Sequence, residues 1–378
     1  MPEQVTSAAL AKTPLHGWHA EHGGRMVDFA GWSMPVHYGS IVEEHTATRN
    51  AVGLFDVSHM ARFQFRGPGA ESLLDRLVTR RVRGMPVGRI CYALATNESG
   101  GILDDVLVYR VAGDSPGVGS FQLVVNASNR GKIWSWIDAQ RDARDEVDIH
   151  DATVETAMIA VQGPGAGELM RSVAAADPVS LRYYSSATFD VLGVRSLVSR
   201  TGYTGEDGWE VVVPAAVGLE IWVQLLDRGR SLGARPAGLG CRDTLRLEAA
   251  MPLYGHELSV EIDPFQAGLG FAVELEDHAF VGREALERRK QDPQALRRVG
   301  WEIGGKRPAR EGSTVLADGR QIGRVTSGTF APTLGRPIAM GYVEPAFAAP
   351  GAEMTIDVRG HALAARVVKL PFYRRPTR

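Results

Sequence analysis

The chain holds only two cysteines in 378 residues, Cys91 and Cys241. They lie far apart and form no CxxC, which argues against a disulfide framework or a zinc knuckle and fits a reducing compartment. No stretch approaches the roughly 18 consecutive apolar residues of a membrane helix. The opening MPEQVTSAALAKTPLHG has neither the apolar core of a secretory signal nor the Arg-rich pattern of a transit peptide, so a cytoplasmic protein without membrane association is expected. An excess of one charge is also missing: a formal net charge of -2 gives no reason to expect nucleic acid as a partner. Lysine occurs only at positions 12, 132, 290, 306 and 369, so arginine carries nearly all the basic charge.

Several catalytic signatures are absent as well. There is no GxSxG nucleophile elbow, no HExxH, and no GxGxxG followed by an acid. His16, His19 and His22 recur every three residues, but without a second ligand motif they read as a solvated helix face, and no metal site is expected.

What is present is ordinary for a globular protein: 44% hydrophobic and 23% charged residues, in a chain long enough for two or three domains. A weak internal repeat pairs FRGPGAESLL (Phe65 to Leu74) with VQGPGAGELM (Val161 to Met170). Each is a strand end, a Gly-Pro-Gly-Ala turn and a run at helical spacing, which predicts two related strand-turn-helix units. Neither copy has the Lys-Ser/Thr of a phosphate loop, so the glycines are read as turn residues. Helices are predicted over 41–50, 69–78, 132–139, 216–229 and 283–290, and strands over 61–65, 106–110, 121–125, 157–162 and 191–199. That irregular alternation argues for an α+β fold. After a linker at Lys290-Gln291-Asp292-Pro293 the texture changes. Short strands at 299–303, 321–326, 339–343, 354–358 and 362–368, separated by Asp318-Gly319, Leu334-Gly335 and Arg359-Gly360, read as a small barrel or sandwich.

Three polar stretches are candidates for chemistry. In GGILDDVLVYR, Asp104 and Asp105 stand at the mouth of the predicted strand, where one can face a cavity and the other solvent or a turn. In SRTGYTGEDGWEVVV, Gly202, Gly205 and Gly208 punctuate a loop entering a strand near Trp209, and Glu210 sits inside that strand, where a carboxylate needs a partner. In RPAGLGCRDTLRLEA, a Gly-rich loop runs into a helix bearing Arg242, Asp243, Arg246 and Glu248, a pattern equally suited to an ion-pair network.

These stretches, with MVDFAGWSMPVHY, GLFDVSHM, NESGGILDD, LVVNASN, TSGTFAPTLGRPIAMGYV and the late PFYR, resemble in order and over nearly the whole chain the aminomethyltransferases, the T-proteins of the glycine cleavage system. The resemblance implies a folate-binding region of two related, interleaved α+β sub-domains (1–290) followed by a C-terminal β-barrel (291–378). It implies transfer of a methylene carbon from an aminomethyl-lipoyl group, carried by the H-protein, to tetrahydrofolate, with release of ammonia. Functional association with glycine decarboxylase and dihydrolipoyl dehydrogenase follows from the same resemblance. By it, Asp105 is the catalytic carboxylate and Asp104 a turn or support residue. Glu210 would anchor the pterin, Arg242 and Arg374 would contact substrate, and Met60, Tyr92, Tyr109, Asn126, Tyr183 and Tyr203 would line the slot. Two other readings share the architecture: a tetrahydrofolate-dependent demethylase, and a folate-binding accessory protein of iron-sulfur assembly. The accessory proteins are marked by KGCYxGQE, whereas the comparable EIDPFQAGLGFAVEL here has no cysteine. Two departures stand out, Ala61 after Met60 and the basic run Arg80-Arg81-Val82-Arg83, which would suit a folate glutamate tail or an acidic carrier surface.

Overall fold

The structure, a computed structural model, describes residues 9–113, 120–142 and 144–376. The chain begins with a short helix α1 (His16–Glu21), a hairpin of β1 (Met26–Phe29) and β2 (Trp32–Pro35), and helix α2 (Ile41–Asn50). Ser40 caps α2 by accepting from the Glu43 N–H at 3.3 Å. Strand β3 (Val52–Asp56) follows, then β4 (Ala61–Arg66), α3 (Ala70–Leu77), β5 (Ile90–Thr96), β6 (Ile102–Val111), β7 (Ser120–Val125), α4 (Arg130–Gln140) and β8 (Asp148–Asp151). Next come β9 (Thr156–Gln162), α5 (Ala166–Val173), β10 (Ser186–Val191), β11 (Val194–Ser199), β12 (Gly208–Pro214), α6 (Ala215–Gly229), β13 (Ala234–Pro236) and α7 (Leu239–Glu248). An irregular stretch leads to α8 (Arg283–Arg289) and to the last six strands, β14 (Arg297–Ile303), β15 (Thr314–Ala317), β16 (Arg320–Ala331), β17 (Arg336–Val343), β18 (Glu353–Val358) and β19 (His361–Val368).

Two sheets share the first part of the chain. One has the order β5-β6-β7-β4-β8, the other β10-β11-β12-β9-β3-β13. Because β3 joins the second sheet and β4 the first, the intervening residues 57–60 cross between them, and the two α+β units are interleaved. Each unit buries its own apolar layer. Phe63, Phe65, Leu73 and Leu74 belong to one, Val161, Trp209, Ile221 and Trp222 to the other. The final strands form a closed barrel, β14-β17-β16-β15-β18-β19, around Trp301, Val315 and Ile356.

The sequence repeat is a structural repeat. Gly67 and Gly163 have φ of 120° and 124°, a conformation open to glycine and strained for other residues. In each copy the third-position amide is already engaged: Gly69 N–H donates to the Glu146 carbonyl and Gly165 N–H to that of Ala51, both at 3.0 Å. The turns therefore dock against neighbouring backbone and leave no phosphate cradle.

The predicted strand over 191–199 is corrected. It is a hairpin, β10 and β11, turning at Leu192 and Gly193, both with positive φ. A Leu-Gly pair carries little turn signal, because leucine rarely adopts positive φ. The histidine reading is corrected too. His19 is fully buried, with Nε2 2.9 Å from Asp56 Oδ2 and Nδ1 2.7 Å from the Tyr38 hydroxyl. Thr13 also donates to Asp56, so this polar knot ties the N-terminal segment to β3. Burial alone would raise the Asp56 pKa, but the bonds from His19, Ser58 and Thr13 bring it below the usual value. Among the described residues no cluster of three or more His, Cys, Asp or Glu is placed to hold a metal.

Candidate active site

The expectation that the two acids stand at the mouth of a strand is corrected: β6 begins at Ile102, so both lie inside it. Its pairing with β5 slips between Ala95 and Thr96, which leaves Leu103 unpaired as a bulge directly before Asp104. The turn before the bulge is packed against the 258–262 segment. A Cβ on Gly101 would lie 1.8 Å from the Val260 carbonyl oxygen, while Ile102 N–H donates to Ile262 O at 3.0 Å. Gly101→Ala is therefore expected to displace the strand end that carries both acids. A loss of about 1–3 kcal/mol, read from denaturant unfolding, should accompany a fall in activity.

Asp104 does not face solvent. It is fully buried and accepts three N–H bonds: the Asn126 amide nitrogen (2.8 Å) and Asn129 Nδ2 (2.6 Å) on Oδ1, and the Asn126 backbone N–H (3.0 Å) on Oδ2. Asp105 keeps partial exposure. Its Oδ1 accepts from the same Asn126 Nδ2 at 2.8 Å, and its Oδ2 receives the Tyr92 hydroxyl at 3.2 Å. Asn126 follows the end of β7, the neighbour of β6, so one side chain reaches both carboxylates. Burial raises the pKa of both acids, and for Asp104 the neighbouring Asp105 charge raises it further; the amide donors oppose the rise.

The second sheet and the helix after it carry further expected residues. Glu210 on β12 is buried and accepts a hydroxyl bond from Thr201. Burial raises its pKa, against the opposing effects of Thr201 and the Arg242 charge. Arg242, near the start of α7, has no carboxylate within ion-pair distance among the described residues, and its guanidinium lies 4.7 Å from the centroid of the Tyr203 ring. Tyr203 donates to the Pro252 carbonyl. Burial raises the Tyr203 pKa first, with the charge on Asp105 adding to it. Gly202 and Gly208 let that loop close on Gln162, since a Cβ at either position would approach its side chain to 2.0 or 2.3 Å.

The remaining expected residues divide. Asn126 and Tyr92 meet at Asp105, while Met60 packs between the clusters of Phe55 and of Tyr109. Tyr109 is only 1% exposed. Its hydroxyl lies 3.4 Å from Ser199, which is itself bonded to Thr201, so it backs the Glu210 wall and presents no free ring face. Tyr183 is 46% exposed and meets Tyr184 edge-on at 4.8 Å. Arg374 is exposed and makes no bond among the described residues. Its neighbours anchor the tail: Tyr373 stacks on Arg49 at 4.0 Å, and Arg375 lies 3.3 Å from Asp207. The basic run is largely engaged, with Arg80 3.1 Å from Glu274 and Arg81 bonded to the carbonyls of Glu276 and Asp277. Arg83, 68% exposed, stays 3.9 Å from Asp75.

Sequence reasoning missed Tyr184. Its φ is 59°, its carbonyl accepts from Ile90 N–H, and its hydroxyl pKa is raised by burial and by the charges of Glu210 and Asp105. The adjacent tyrosines were the only signal. Two surface cavities lie elsewhere. One of about 680 Å³ is lined by Leu275, Asp277, Arg283 and Lys290, and one of about 360 Å³ by Thr13, Trp32 and Ser58. Neither contains paired acids converging on a shared donor, as Asp104 and Asp105 do on Asn126.

Two α+β units followed by a closed barrel carry paired carboxylates on one amide donor, a further buried acid and an arginine, groups of the kind that acid/base group transfer uses. Residues 15–277 match the family described as the GCVT N-terminal domain, and residues 297–374 match the glycine cleavage T-protein C-terminal barrel domain. The chain is 46% identical over 369 residues to an aminomethyltransferase of Moorella thermoacetica, covering 98% of this chain and 99% of that one. To an aminomethyltransferase of Streptomyces avermitilis it is 45% identical over 378 residues, covering 98% and 100%. The crystal structure of the glycine cleavage system aminomethyltransferase T from Bartonella henselae superposes with a TM-score of 0.89 at 32% identity, covering 97% of this chain and 99% of that one. The chain belongs to the aminomethyltransferase family, the glycine cleavage T-proteins.

Proposed function

We infer that the protein is a tetrahydrofolate-dependent aminomethyltransferase, which moves the methylene carbon of an aminomethyl-lipoyl group to the folate and releases ammonia. The full-length identity to aminomethyltransferases carries this reading. The donor is the aminomethyl-loaded lipoyl H-protein, in functional association with glycine decarboxylase and dihydrolipoyl dehydrogenase. No described helix is long and apolar enough to cross a membrane, and Cys91 and Cys241 are free and buried, which supports placing the protein in the cytoplasm.

The reaction sets a proton balance. Two N–H protons leave the folate nitrogens; one ends on the departing amine as ammonia and one on the lipoyl sulfur as a thiol. Asp105 is the residue to handle this traffic: it delivers a proton to the leaving group and recovers one from the attacking nitrogen, aimed by Tyr92 and Asn126. Glu210 suits the paired N–H donors at a pterin edge, because it is buried and has one hydroxyl donor, Thr201, leaving acceptor capacity free. Arg242 offers a cation beside the Tyr203 face, without an ion-pair partner among the described residues. Met60, Tyr183, Tyr203 and Arg374 would border the ligand, with Tyr109 behind it.

Glu210→Gln should weaken folate far more than it slows turnover. A hydrogen bond to a charged group is worth roughly 1.5–3 kcal/mol, so the KM for tetrahydrofolate should rise about 10- to 100-fold while kcat changes several-fold at most. An unchanged KM would remove Glu210 from the folate site. The donor is tested by supplying either aminomethyl-loaded lipoyl carrier and following methylene-folate formation, or small methylated amines and following methyl-folate formation. Turnover with the carrier alone is expected; turnover with the amines alone would overturn the reading.

A further inference from the structure

The buried acid Asp104 has no role in the transfer as described so far. We propose that Asp104 is a positioning residue, a fixed anion whose charge, felt across the shared amide of Asn126, keeps a proton on Asp105. This rests on the aminomethyltransferase reading.

The donors around the two acids differ in kind. Asp104 accepts from the Asn126 backbone N–H, from Asn126 Nδ2 and from Asn129 Nδ2, at 3.0, 2.8 and 2.6 Å. Amide N–H groups can only donate, so a protonated Asp104 would turn an O–H towards groups that cannot accept it. Asp105 faces two N–H donors, Asn126 Nδ2 and its own backbone N–H, and one hydroxyl, Tyr92. A tyrosine hydroxyl can reverse and accept. A single proton shared by the pair is therefore at home on Asp105 Oδ2 and not on Asp104.

The two Oδ1 atoms each lie 2.8 Å from the same nitrogen, inside the separation of roughly 4–6 Å at which one carboxylate holds a proton on another. The other groups that face the pair agree. Tyr92 on β5, Tyr184 before β10 and Tyr203 in the loop before β12 border Asp105, and all are neutral. On the Asp104 side stand Lys132 of α4 and Tyr254, joined at 2.7 Å, and the lysine favours an ionised Asp104. The proton donor needed for the leaving amine is thus present before substrate arrives, and the same group can recover a proton from the folate nitrogen. Both displacements pass through one carboxyl whose pKa burial raises.

Two measurements test this. The first is the pH profile of kcat/KM for folate-dependent ammonia release from loaded carrier. In Asp104→Asn the limb governed by Asp105 should move towards acid by about one pH unit or more, while Asp104→Glu, which keeps the charge, should leave it near the wild-type position. A lowered rate with an unmoved limb would leave Asp104 a structural support only and overturn the proposal. The second needs no Asp104 variant: carbon-13 titration of the aspartate carboxyls in the wild-type protein, assigned with Asp105→Asn. Asp105 should titrate above the ordinary aspartate range and above Asp104, although burial raises both, because only Asp105 has a partner that can accept its O–H; the reverse order would overturn the proposal. Absence of folate-dependent release from the wild type would remove the reaction and with it the role; the titration reads the pair independently and separates the two failures.

Discussion

Asp105→Asn is expected to lower folate-dependent ammonia release from a loaded lipoyl carrier by two to four orders of magnitude, with tetrahydrofolate still bound. General acid/base assistance contributes about 10²- to 10⁴-fold, and an amide of the same shape cannot take or give the proton. The surroundings predict little structural damage. Asn126 Nδ2 can donate to an amide oxygen as it does to Asp105 Oδ1 at 2.8 Å, and Tyr92 can rotate its hydroxyl to accept from the new NH₂. A change in folate affinity within a few-fold would then separate proton transfer from binding. A loss smaller than tenfold would place the acid/base group elsewhere.

The largest expected effect on stability lies behind the site. Arg246 and Glu257 are both buried and meet at 2.7 Å. The arginine also bonds Asp243, the Met251 carbonyl and Ser327 on β16, so it ties α7 to the barrel. Arg246→Met should cost about 3–5 kcal/mol, because it strands a buried carboxylate, and Arg246→Met with Glu257→Gln should cost less than the single change. The deficit should depend on pH with a definite sign. In the wild type burial would raise Glu257, but the Arg246 charge and the bonds from Ser327, Thr326 and Leu253 hold it below the usual range. That stabilisation is present above the ordinary carboxylate pKa and is lost as pH falls through the lower folded value. Without the arginine, burial leaves Glu257 raised, so the variant recovers relative to wild type as the carboxylate takes up a proton. Denaturant unfolding at pH 7 and at about pH 4.5 should show the gap narrowing; an equal gap at both would argue against a stranded charge.

Much of this architecture was legible because local signals agree with tertiary demands. Helix α2 matched its predicted bounds, 41–50, where Ser40 supplies the cap. The Gly-Pro-Gly-Ala turns marked the related units, and Asp318-Gly319 and Arg359-Gly360, all with positive φ, marked barrel hairpins. The barrel's closure was not legible from periodicity, which cannot distinguish a sandwich, nor was β15, only four residues long. The buried polar residues were the hardest to read. Glu44, His45, Thr48 and Arg49 form the inward face of α2, where an apolar stripe is the usual signal, because they meet Gly238, Thr244, Thr333 and Glu248 from distant parts of the chain. Asp104 escaped for the same reason: turn chemistry explains an Asp-Asp pair locally, and the three amides that bury it become visible only in three dimensions.

The most direct test of the account is a single-turnover measurement of ammonia release from aminomethyl-loaded lipoyl carrier, with and without tetrahydrofolate, by the wild-type protein. Fast release that requires the folate and yields methylene-folate in equal amount is expected. Release at the same rate without folate, or none with folate bound, would contradict it.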